Sequence, residues 1–596
     1  MKDSEQKRKS FSEGLKAYFD VKLFSILIPY FRQYRYLISI SLFLIILSEI
    51  LAVLTPIFFQ IGIDDYILKK DSIGLSWLVK ILIITEITSF LLRVSSNTCI
   101  AYFGQRMLYS LRMRLFKKSL KLSNEYYDRV PTGTTLTHVT NDVESIRQFV
   151  SGGVVSVLTS ILKVFLIVAV MFYINLWLAV ITLFCIPIFA FLTYWFKNRI
   201  REGFRGVRKA NSDINTQMIE SLNGYREIAL FQNRQSSCLK FDKNNYAYYD
   251  SYKDIIHAYA LYLPLVEVIT HISTLVIMII AHYQIGHSIT PGEIIAFFTL
   301  INRFFRPLRD LAEQFNTFQA AMAAMERVQM LEKEPIRVSD NVPNDEFGNN
   351  RIGRITFDKV DFSYKENTPV LNAMSFSIEE NEKIALVGST GAGKSTINHL
   401  LNRLYDYQNG MIAIDDKPIH EYSLNDIRSK IATIPQDVFL FTGSILDNIR
   451  LFDDSITEEM VNETIDSLHI TEFINSFSGG LSHQINESGS SLSNGEKQLI
   501  AFARAFLKKP GLIIFDEATA NVDSKTEKQI GNALEILLKD RSAIIIAHRL
   551  STIENVDKIL FLQKGQIVES GKHKDLIANK ESHYRKLWEM QALANT

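Results

Sequence analysis

Cysteine is scarce in this chain of 596 residues, which contains only Cys99, Cys185 and Cys238. Their spacing matches neither a metal site nor a disulfide framework, so we interpret them as small buried hydrophobic residues. An excess of one charge is also missing, since 65 basic residues stand against 64 acidic ones. This balance gives no argument for a nucleic acid or another polyanion as partner. The polar N-terminus MKDSEQKRKSFSEG has no apolar core, and we therefore expect no cleavable signal peptide.

Long apolar runs are present in the first half of the chain, and the second half reads as a soluble domain. A helix needs about 20 mostly apolar residues to cross a bilayer. Six stretches are candidates, near 36–63, 75–97, 150–173, 176–196, 256–283 and 288–311. The sequence predicts four parts: a cytoplasmic N-terminus with an interfacial elbow helix (1–35), a six-helix transmembrane domain with long cytoplasmic extensions (36–330), a linker (331–353) and a soluble domain (354–596).

The loops between the apolar runs differ in charge. The connections after the second and fourth runs are rich in Lys and Arg. The connection between the fifth and sixth runs, HYQIGHSITPGE, contains neither. Basic loops stay in the cytoplasm, so we expect both termini there. These two connections are long and helical in character, which predicts helices that continue beyond the bilayer. Their turns, near 131–146 and 220–231, either dock on the second domain or are solvated surface helix. The stretch 22–34 is predicted to lie in the membrane interface.

Four ionisable residues fall inside the predicted spans: Glu49, Glu86, Arg93 and Glu267. Such groups usually face a cavity or pair with one another. Contact with a substrate is one interpretation. Internal pairing, or extension of Arg93 to the membrane surface, is the alternative that we favour.

The segment KIALVGSTGAGKSTINHLLNRL has the order strand, glycine loop, helix. The spacing from Gly388 to Lys394 and Ser395 fits a P-loop, in which backbone N–H groups surround phosphate oxygens and the helix directs its positive end at them. We expect Lys394 to reach the β- and γ-phosphates and Ser395 to bind Mg²⁺. The soluble domain (354–596) is therefore predicted to be a nucleotide-binding domain.

Two further apolar strands end in polar residues. LIIFDE ends in Asp516 and Glu517, and IIIAHRLST carries His548. Together with the P-loop, this pattern predicts that Asp516 lies near Mg²⁺ and that Glu517 polarises the attacking water. His548 is predicted to contact the γ-phosphate.

These motifs occur together and in order, and the chain resembles an ATP-binding cassette (ABC) exporter of the bacterial multidrug or lipid type, in half-transporter form. The resemblance implies that Tyr364 stacks on adenine, that Gln436 senses Mg²⁺ and faces the membrane domain, and that 520–523, ending in Asp523, is the D-loop. Asp516, Glu517 and His548 are similar to the Walker B aspartate, its glutamate and the switch histidine. The residues similar to the Walker A loop are Gly388, Ser389, Thr390, Gly391, Ala392, Gly393, Lys394, Ser395 and Thr396.

The stretch LSNGE, at 492–496, resembles the family signature and contains no lysine. In the family, the signature of one nucleotide domain closes over ATP held by the P-loop of another. The resemblance therefore implies that Ser493, the Gly495 backbone and Asp523 serve a nucleotide bound to a second chain.

This signature departs from the usual LSGGQ, because Asn494 replaces a glycine and Glu496 a glutamine. Asn tolerates positive φ better than other non-glycine residues, so we expect the turn to survive. A carboxylate beside a phosphate is expected to weaken ATP binding at that site. The preceding NESGSSLS also lacks an arginine usual in the family. Two assemblies fit this sequence: a homodimer that tolerates the variant signature, and a heterodimer in which this chain is the catalytic half and the partner's ATP site is degenerate. We favour the heterodimer.

The expected function is ATP-driven export by alternating access, with ATP and Mg²⁺ as cofactors, in the cytoplasmic membrane. Drugs, lipids and hydrophobic peptides are candidate substrates, although a peptide-processing exporter is less expected because no peptidase domain precedes the spans. A channel-like or regulatory member of the same family is the alternative. A chromosome-maintenance ATPase shares the signature but would lack the apolar runs and carry a long coiled coil.

Overall fold

The computed structural model describes residues 21–284, 289–336, 352–365, 367–486, 489, 491–516, 524–546 and 553–594. Most of the predicted linker, and the predicted site residues Glu517, Asp523 and His548, lie outside these ranges. The chain forms two compact units, which are described separately. Unit 1, the membrane unit, comprises Met1–Leu120 and Gly133–Glu334, and unit 2, the nucleotide unit, comprises Lys121–Thr132 and Pro335–Thr596.

The described part of the membrane unit is helical. Its α-helices are α1 (Ile28–Gln33), α2 (Arg35–Ile61), α3 (Ser72–Ser119), α5 (Thr132–Thr137), α6 (Val143–Gln148), α7 (Val155–Ile174), α8 (Leu176–Leu183), α9 (Cys185–Asn223), α10 (Tyr225–Leu230), α11 (Arg234–Gln284) and α12 (Pro291–Lys333), with α4 (Asn124–Arg129) in the nucleotide unit. A 3₁₀-helix (Val21–Ile26) precedes α1, and π-helical turns at Gly62–Ile67, His138–Asp142 and Phe149–Val154 extend the neighbouring helices.

Four continuous helices of the described residues are long and apolar enough to cross a membrane: Arg35–Ile67, Ser72–Ser119, Thr132–Ile174 and Arg234–Ile279. The predicted stretch 176–196 lies in α8 and α9, and most of 288–311 lies in α12. Helix α3 has 48 residues, which at 1.5 Å per residue is about 72 Å and more than twice the thickness of the hydrocarbon core. The length of α3 therefore agrees with the prediction of helices that continue beyond the bilayer.

The nucleotide unit contains two large sheets. Its strands are β1 (Ile355–Phe362), β2 (Leu371–Ile378), β3 (Lys383–Gly388), β4 (Asn409–Ile414), β5 (Lys417–Pro418), β6 (Ile431–Ile434), β7 (Gly443–Ser444), β8 (Gln484–Ile485), β9 (Leu512–Asp516), β10 (Ser542–Ile546), β11 (Lys558–Gln563) and β12 (Gln566–Gly571). The antiparallel sheet has the order β2-β1-β4-β5, and the larger sheet has the order β12-β11-β3-β10-β9-β6. All neighbours in the larger sheet are parallel except β11 and β12. β7 and β8 form a short antiparallel pair.

Helices cover the larger sheet on both faces. They are α13 (Lys394–Leu401), α14 (Leu424–Lys430), α15 (Ile445–Arg450), α16 (Glu458–Ser467), α17 (Thr471–Asn475), α18 (Asn494–Leu507), α19 (Ser524–Leu538), α20 (His573–Ala578) and α21 (His583–Ala594), with 3₁₀ turns at Ile419–Glu421 and Gly480–Ser482. Alternate residues of the central strands enter two separate cores, as a strand period of two requires. In β3, Ala385 and Val387 join one core, whereas Ile384 and Leu386 join the other.

One segment from between the membrane helices packs with the nucleotide unit. It is Lys121–Thr132, which contains α4. The predicted docking turn at 131–146 is therefore misplaced, because residues from Gly133 onward belong to the membrane unit. The short helix α4 ends before residue 131, where the predicted turn begins.

Candidate functional site

The glycine loop after β3 has the backbone shape that phosphate binding requires. Gly393 caps α13 with a φ of 102°. Gly388 has a φ of 153°, and a Cβ atom there would lie 2.2 Å from the carbonyl oxygen of Leu562. These positions exclude other residues, because left-handed backbone and close approach both need glycine. The loop ends at the N-terminus of α13, where unpaired N–H groups attract anions.

Lys394 lies inside this loop. The residue is 6% exposed, and its Nζ donates to the carbonyl oxygens of Gly388 at 2.7 Å and Ser389 at 3.0 Å. Burial lowers the pKa of Lys394, and the negative charge of Asp516 opposes that shift. A buried ammonium group held by two neutral carbonyls leaves its charge available for an anion.

The remaining loop residues divide by exposure. Ser389, Thr390, Gly391 and Ser395 are exposed, whereas Ala392 and Thr396 are buried. Asp516 ends β9, and β10 alone separates β9 from β3 in the sheet. The carboxyl ends of parallel strands meet at one edge, which is where ligands bind in such sheets.

The oxygen donors predicted to bind Mg²⁺ are a hydroxyl (Ser395), a carboxylate (Asp516) and an amide (Gln436). Among the described residues, no three His, Cys, Asp or Glu side chains converge to hold a metal ion. Mg²⁺ prefers oxygen ligands and is usually held by one or two carboxylates together with substrate phosphates. The donor set therefore fits Mg²⁺ that arrives with a nucleotide.

Tyr364 lies over the first turns of α13. Its Oη donates to Oγ1 of Thr396 at 3.1 Å and lies 2.8 Å from Nδ1 of His399. The rings of Phe362 and Tyr405 stand edge-on to it, with centroids 4.8 and 5.0 Å away. Burial raises the pKa of Tyr364 and lowers that of His399. The aromatic side chain that the family resemblance assigns to adenine thus lies beside the P-loop helix.

One residue of this aromatic cluster, Tyr405, bonds to the segment Lys121–Thr132. The hydroxyl of Tyr405 donates to Oδ2 of Asp128, in α4. Burial and the Asp128 carboxylate raise the pKa of Tyr405 above its usual value. His399 lies beside both tyrosines, with its ring centroid 5.7 Å from that of Tyr405 and 6.2 Å from that of Tyr364. Sequence reasoning missed Asp128, His399 and Tyr405, because no motif marks them.

Gln436 is exposed and lies just after β6, the edge strand next to β9. The segment that follows is attached to the signature helix by Arg504. The Arg504 guanidinium donates to the carbonyl oxygens of Phe439 at 2.9 Å and Asn448 at 2.7 Å, and to Oδ1 of Asn448 at 3.0 Å. Burial lowers the pKa of Arg504 to about 10. This side chain therefore joins α18 to α15 and to the chain after Gln436.

The signature forms the N-terminus of α18. Ser493 is the N-cap residue, and its Oγ accepts from the Glu496 N–H at 3.3 Å, while Oε2 of Glu496 accepts from the Ser493 N–H at 2.7 Å. This is a capping box. Gly495 is buried, and Ser493 and Asn494 are exposed. Asn494 does not have the positive φ that its exchange for glycine suggested, because it is the first residue of the helix.

Charged groups of the membrane unit are partly paired. Oε1 of Glu49 lies 3.3 Å from Nζ of Lys163, and Oε1 of Glu86 accepts from Thr55 at 2.7 Å. Arg93 and Glu267 are exposed. Glu49 is thus paired inside the protein, as the alternative to substrate contact predicts. Its partner Lys163 was overlooked, although it is the one charged residue in the apolar run 150–173.

Comparisons with known proteins agree with this architecture. The family described as ABC transporter transmembrane region matches residues 38–308, and the family described as ABC transporter matches residues 371–520. The chain is 33% identical to a probable multidrug resistance ABC transporter ATP-binding/permease protein, YheH of Bacillus subtilis, over 84% of this chain and 73% of that protein. It is 30% identical to ATP-dependent lipid A-core flippase 1 of Colwellia psychrerythraea, over 89% of each.

A solved structure of a bacterial Atm1-family ABC exporter with ATP bound matches with a TM-score of 0.77 and 24% identity, over 94% of this chain and 98% of that one. At this identity the match shows the fold. The predicted fold class, an α-helical six-span transmembrane domain followed by an α/β P-loop nucleotide-binding domain, is confirmed. With both family segments in order and relatives of 30% identity or more spanning most of its length, the chain belongs to the ABC transporter family, as a multi-pass exporter of the cytoplasmic membrane that couples transport to ATP hydrolysis.

Proposed function

We propose that this chain is one half of a dimeric exporter and that each ATP binds between the P-loop of one chain and the signature of the other. The observation that carries the proposal is the placement of two helices. The P-loop helix packs through Ile397 and Leu400 into one core of the nucleotide unit, whereas the signature helix packs through Leu499 and Phe502 into the core on the other face of the sheet. A signature that serves the ATP at Lys394 therefore comes from a second chain.

The roles of the site residues follow from their chemistry. Lys394 and the loop N–H groups bind the phosphates, Tyr364 stacks on adenine, and the N-terminus of α18 with Ser493 and Gly495 approaches from the partner. Glu517 polarises the attacking water, and His548 contacts the γ-phosphate. Asp523 of the partner chain lies at the same site. Mg²⁺, bound by Ser395, Asp516 and Gln436, would neutralise charge on the phosphates.

Movement of the nucleotide domains is transmitted through two cytoplasmic segments. One is Lys121–Thr132, which packs with the nucleotide unit of its own chain. The other is the predicted turn at 220–231. Its apolar side chains are exposed, namely Leu222, Tyr225, Leu230 and Phe231 at 69%, 59%, 78% and 81%. Clustered exposed apolar residues mark an interaction surface. We assign this surface to the nucleotide domain of the second chain.

Transport proceeds by alternating access. ATP favours the conformation in which the nucleotide domains are together, because it binds that conformation more tightly. Hydrolysis and phosphate release then return the inward-open state. Apolar membrane helices and relatives named for multidrug resistance and for lipid A-core support hydrophobic or amphipathic substrates of the drug or lipid class.

The two halves are either identical or different. The heterodimer rests on the departures at Asn494 and Glu496 and on the arginine missing from NESGSSLS, and the capping box weakens the argument from Glu496. Affinity purification of the tagged chain from its native membrane in mild detergent separates the cases. A second, distinct half-transporter in equal amount supports the heterodimer, and recovery of this chain alone supports the homodimer.

The hydrolytic roles are tested with Glu517→Gln in the assembled transporter. The amide keeps the size of the side chain but cannot polarise water as a carboxylate does, so ATP binds and turnover falls about a hundredfold or more. Binding is measured by retention of labelled ATP, and turnover by phosphate release. The matched control is Glu535→Gln, an exposed glutamate of α19. Undiminished turnover in Glu517→Gln removes Glu517 from its role.

A further inference from the structure

A polar layer crosses the helix bundle at the middle of two membrane spans. Glu49, near the centre of α2, is buried, with its side chain 5% exposed, and pairs with Lys163, near the centre of α7. The Lys163 side chain is 35% exposed. Ionisable residues at this depth are costly, so they usually serve a function.

A second cation reaches the same layer from α12. Pro56 lies within α2 and has no N–H, so the carbonyl oxygen of Ala52 lacks its helical donor. Nη1 of Arg303 donates to this oxygen at 2.6 Å. The Arg303 guanidinium is thereby placed one helical turn from Glu49. A guanidinium carries five N–H donors, and this bond uses one of them.

Helix α12 has two distinct faces in this region. Phe297, Leu300, Ile301 and Phe304 are fully buried in the core of the membrane unit. The opposite face exposes Ile295 and Phe298 towards the N-terminal end of the helix, followed by Asn302, Arg303 and Arg306. Since Arg303 contacts the centre of α2, these arginines lie at the depth of the bilayer core.

Exposed arginines at this depth do not face lipid, because the cost of a charge in hydrocarbon is too high. They face water, which at this depth means the cavity between the two halves of the transporter. The nearby positive charges are Lys163, Arg303 and Arg306. The nearby negative charges are Glu49 and Glu86, a residue of α3 whose carboxylate accepts from Thr55, one turn from Ala52. Positive charge therefore exceeds negative charge by one among these five residues, and Asp310 lies one turn beyond Arg306.

We propose that Arg303 and Arg306, with Lys163 beside them, bind the anionic headgroup of an amphipathic substrate, and that Ile295 and Phe298 contact its apolar tail. Guanidinium groups bind carboxylates and phosphates through paired hydrogen bonds, which gives both charge and geometric complementarity. The inference rests on the proposed function, since the cavity belongs to the dimer, and it narrows the substrate class to anionic amphiphiles.

The test is direct binding to the assembled, nucleotide-free transporter in nanodiscs. The probe is 11-(dansylamino)undecanoate, followed by its fluorescence, and the competitors are dodecanoate, dodecyl phosphate, dodecyltrimethylammonium and dodecyl maltoside. The variants are Arg303→Gln, Arg306→Gln and the double variant. Arg306→Gln is needed because Arg303 also satisfies the Ala52 carbonyl. The matched control is Arg93→Gln, an exposed arginine of α3.

We expect Arg306→Gln and the double variant to weaken probe binding at least tenfold, the loss that one charge-assisted hydrogen bond represents, and Arg93→Gln to bind as the wild type does. Stronger competition by dodecyl phosphate than by dodecanoate identifies a phosphate headgroup, and the reverse identifies a carboxylate. Unchanged binding in the double variant overturns the inference, as does equal competition by the cationic or neutral detergent.

Because this assay contains no ATP, its result is independent of hydrolysis. If Glu517→Gln hydrolyses ATP normally while probe binding depends on the arginines, only the hydrolytic roles are contradicted. If Glu517→Gln hydrolyses ATP slowly while probe binding does not depend on the arginines, only the headgroup site is contradicted.

Discussion

His399 illustrates how burial controls the charge of a single side chain at the nucleotide site. Burial lowers the pKa of His399, and the carboxylates of Asp128 and Asp516 offset only part of the shift. The ring is therefore neutral at pH 7. A histidine whose folded pKa is below its unfolded value of about 6.5 contributes its full stability above that value. This contribution is lost as the pH falls towards the lowered pKa.

We therefore predict that the unfolding temperature of the full-length protein falls between pH 7 and pH 5.5 by less in His399→Gln than in the wild type. Differential scanning fluorimetry in detergent measures this difference. The matched variant His420→Gln removes an exposed histidine and should follow the wild-type profile. Parallel profiles for the wild type and His399→Gln would contradict the prediction.

Glu496 replaces the usual glutamine of the signature, and its carboxylate is directed to the Ser493 N–H. We predict that Glu496→Ala lowers the free energy of unfolding by about 1 kcal/mol, as loss of an N-terminal cap does. Glu496→Gln retains the acceptor and should change the ATP concentration for half-maximal turnover by less than about threefold. Denaturant titration and phosphate release measure the two effects, with exposed Glu463→Gln as control. A tenfold gain in ATP affinity in Glu496→Gln would show instead that the carboxylate opposes phosphate.

At the scale of elements, the short helix α4 is attached to the adenine side of the P-loop through Asp128 and Tyr405. We predict that Tyr405→Phe reduces stimulation of ATP hydrolysis by substrate, because the hydroxyl that connects the two segments is removed. Tyr407→Phe is the control, since that hydroxyl accepts instead from the Ile412 N–H at 3.4 Å. ATPase titrations with substrate in proteoliposomes measure the effect. Equal loss in both variants would indicate general damage to the loop.

Arg504 connects the signature helix with its neighbours through three hydrogen bonds. Lysine cannot reproduce this planar arrangement. We predict that Arg504→Lys lowers the free energy of unfolding by about 1–3 kcal/mol. Arg541→Lys should have a smaller effect, because Arg541 donates a single hydrogen bond, to the Leu537 carbonyl. Chemical denaturation of both variants gives the comparison, and equal losses would remove the special role of Arg504.

Elements with a strong local signal were predictable from the sequence. The strand, loop and helix around Lys394 follow from a short apolar run and the glycine spacing after it, and the structure has β3 and α13 there. The signature turn was misjudged, because a capping box makes Asn494 helical. Segment Lys121–Thr132 and the pair Glu49–Lys163 depend on contacts between distant parts of the chain, which local patterns do not encode.

For the whole molecule, the order of a membrane domain and a nucleotide domain was evident from the apolar runs of the first half and the phosphate-binding motifs of the second. The assembly state could not be predicted in this way, because one chain carries one P-loop and one signature whether its partner is identical or different. If ATP binds between two chains, turnover per chain should fall with dilution. We predict that ATPase activity measured over a dilution series in detergent follows the dimer fraction from size-exclusion chromatography. Constant specific activity of a proven monomer would contradict the shared site.

The inclusion of Lys121–Thr132 in the nucleotide unit has a consequence for biosynthesis. Asp128 leaves the ribosome long before Tyr405, which lies 277 positions later in the chain. The nucleotide unit can therefore fold completely only after the membrane helices that follow residues 121–132 have been synthesised. A fragment beginning at Pro335 would lack that piece, and we expect it to be less soluble than the same fragment supplied with a peptide of residues 121–132.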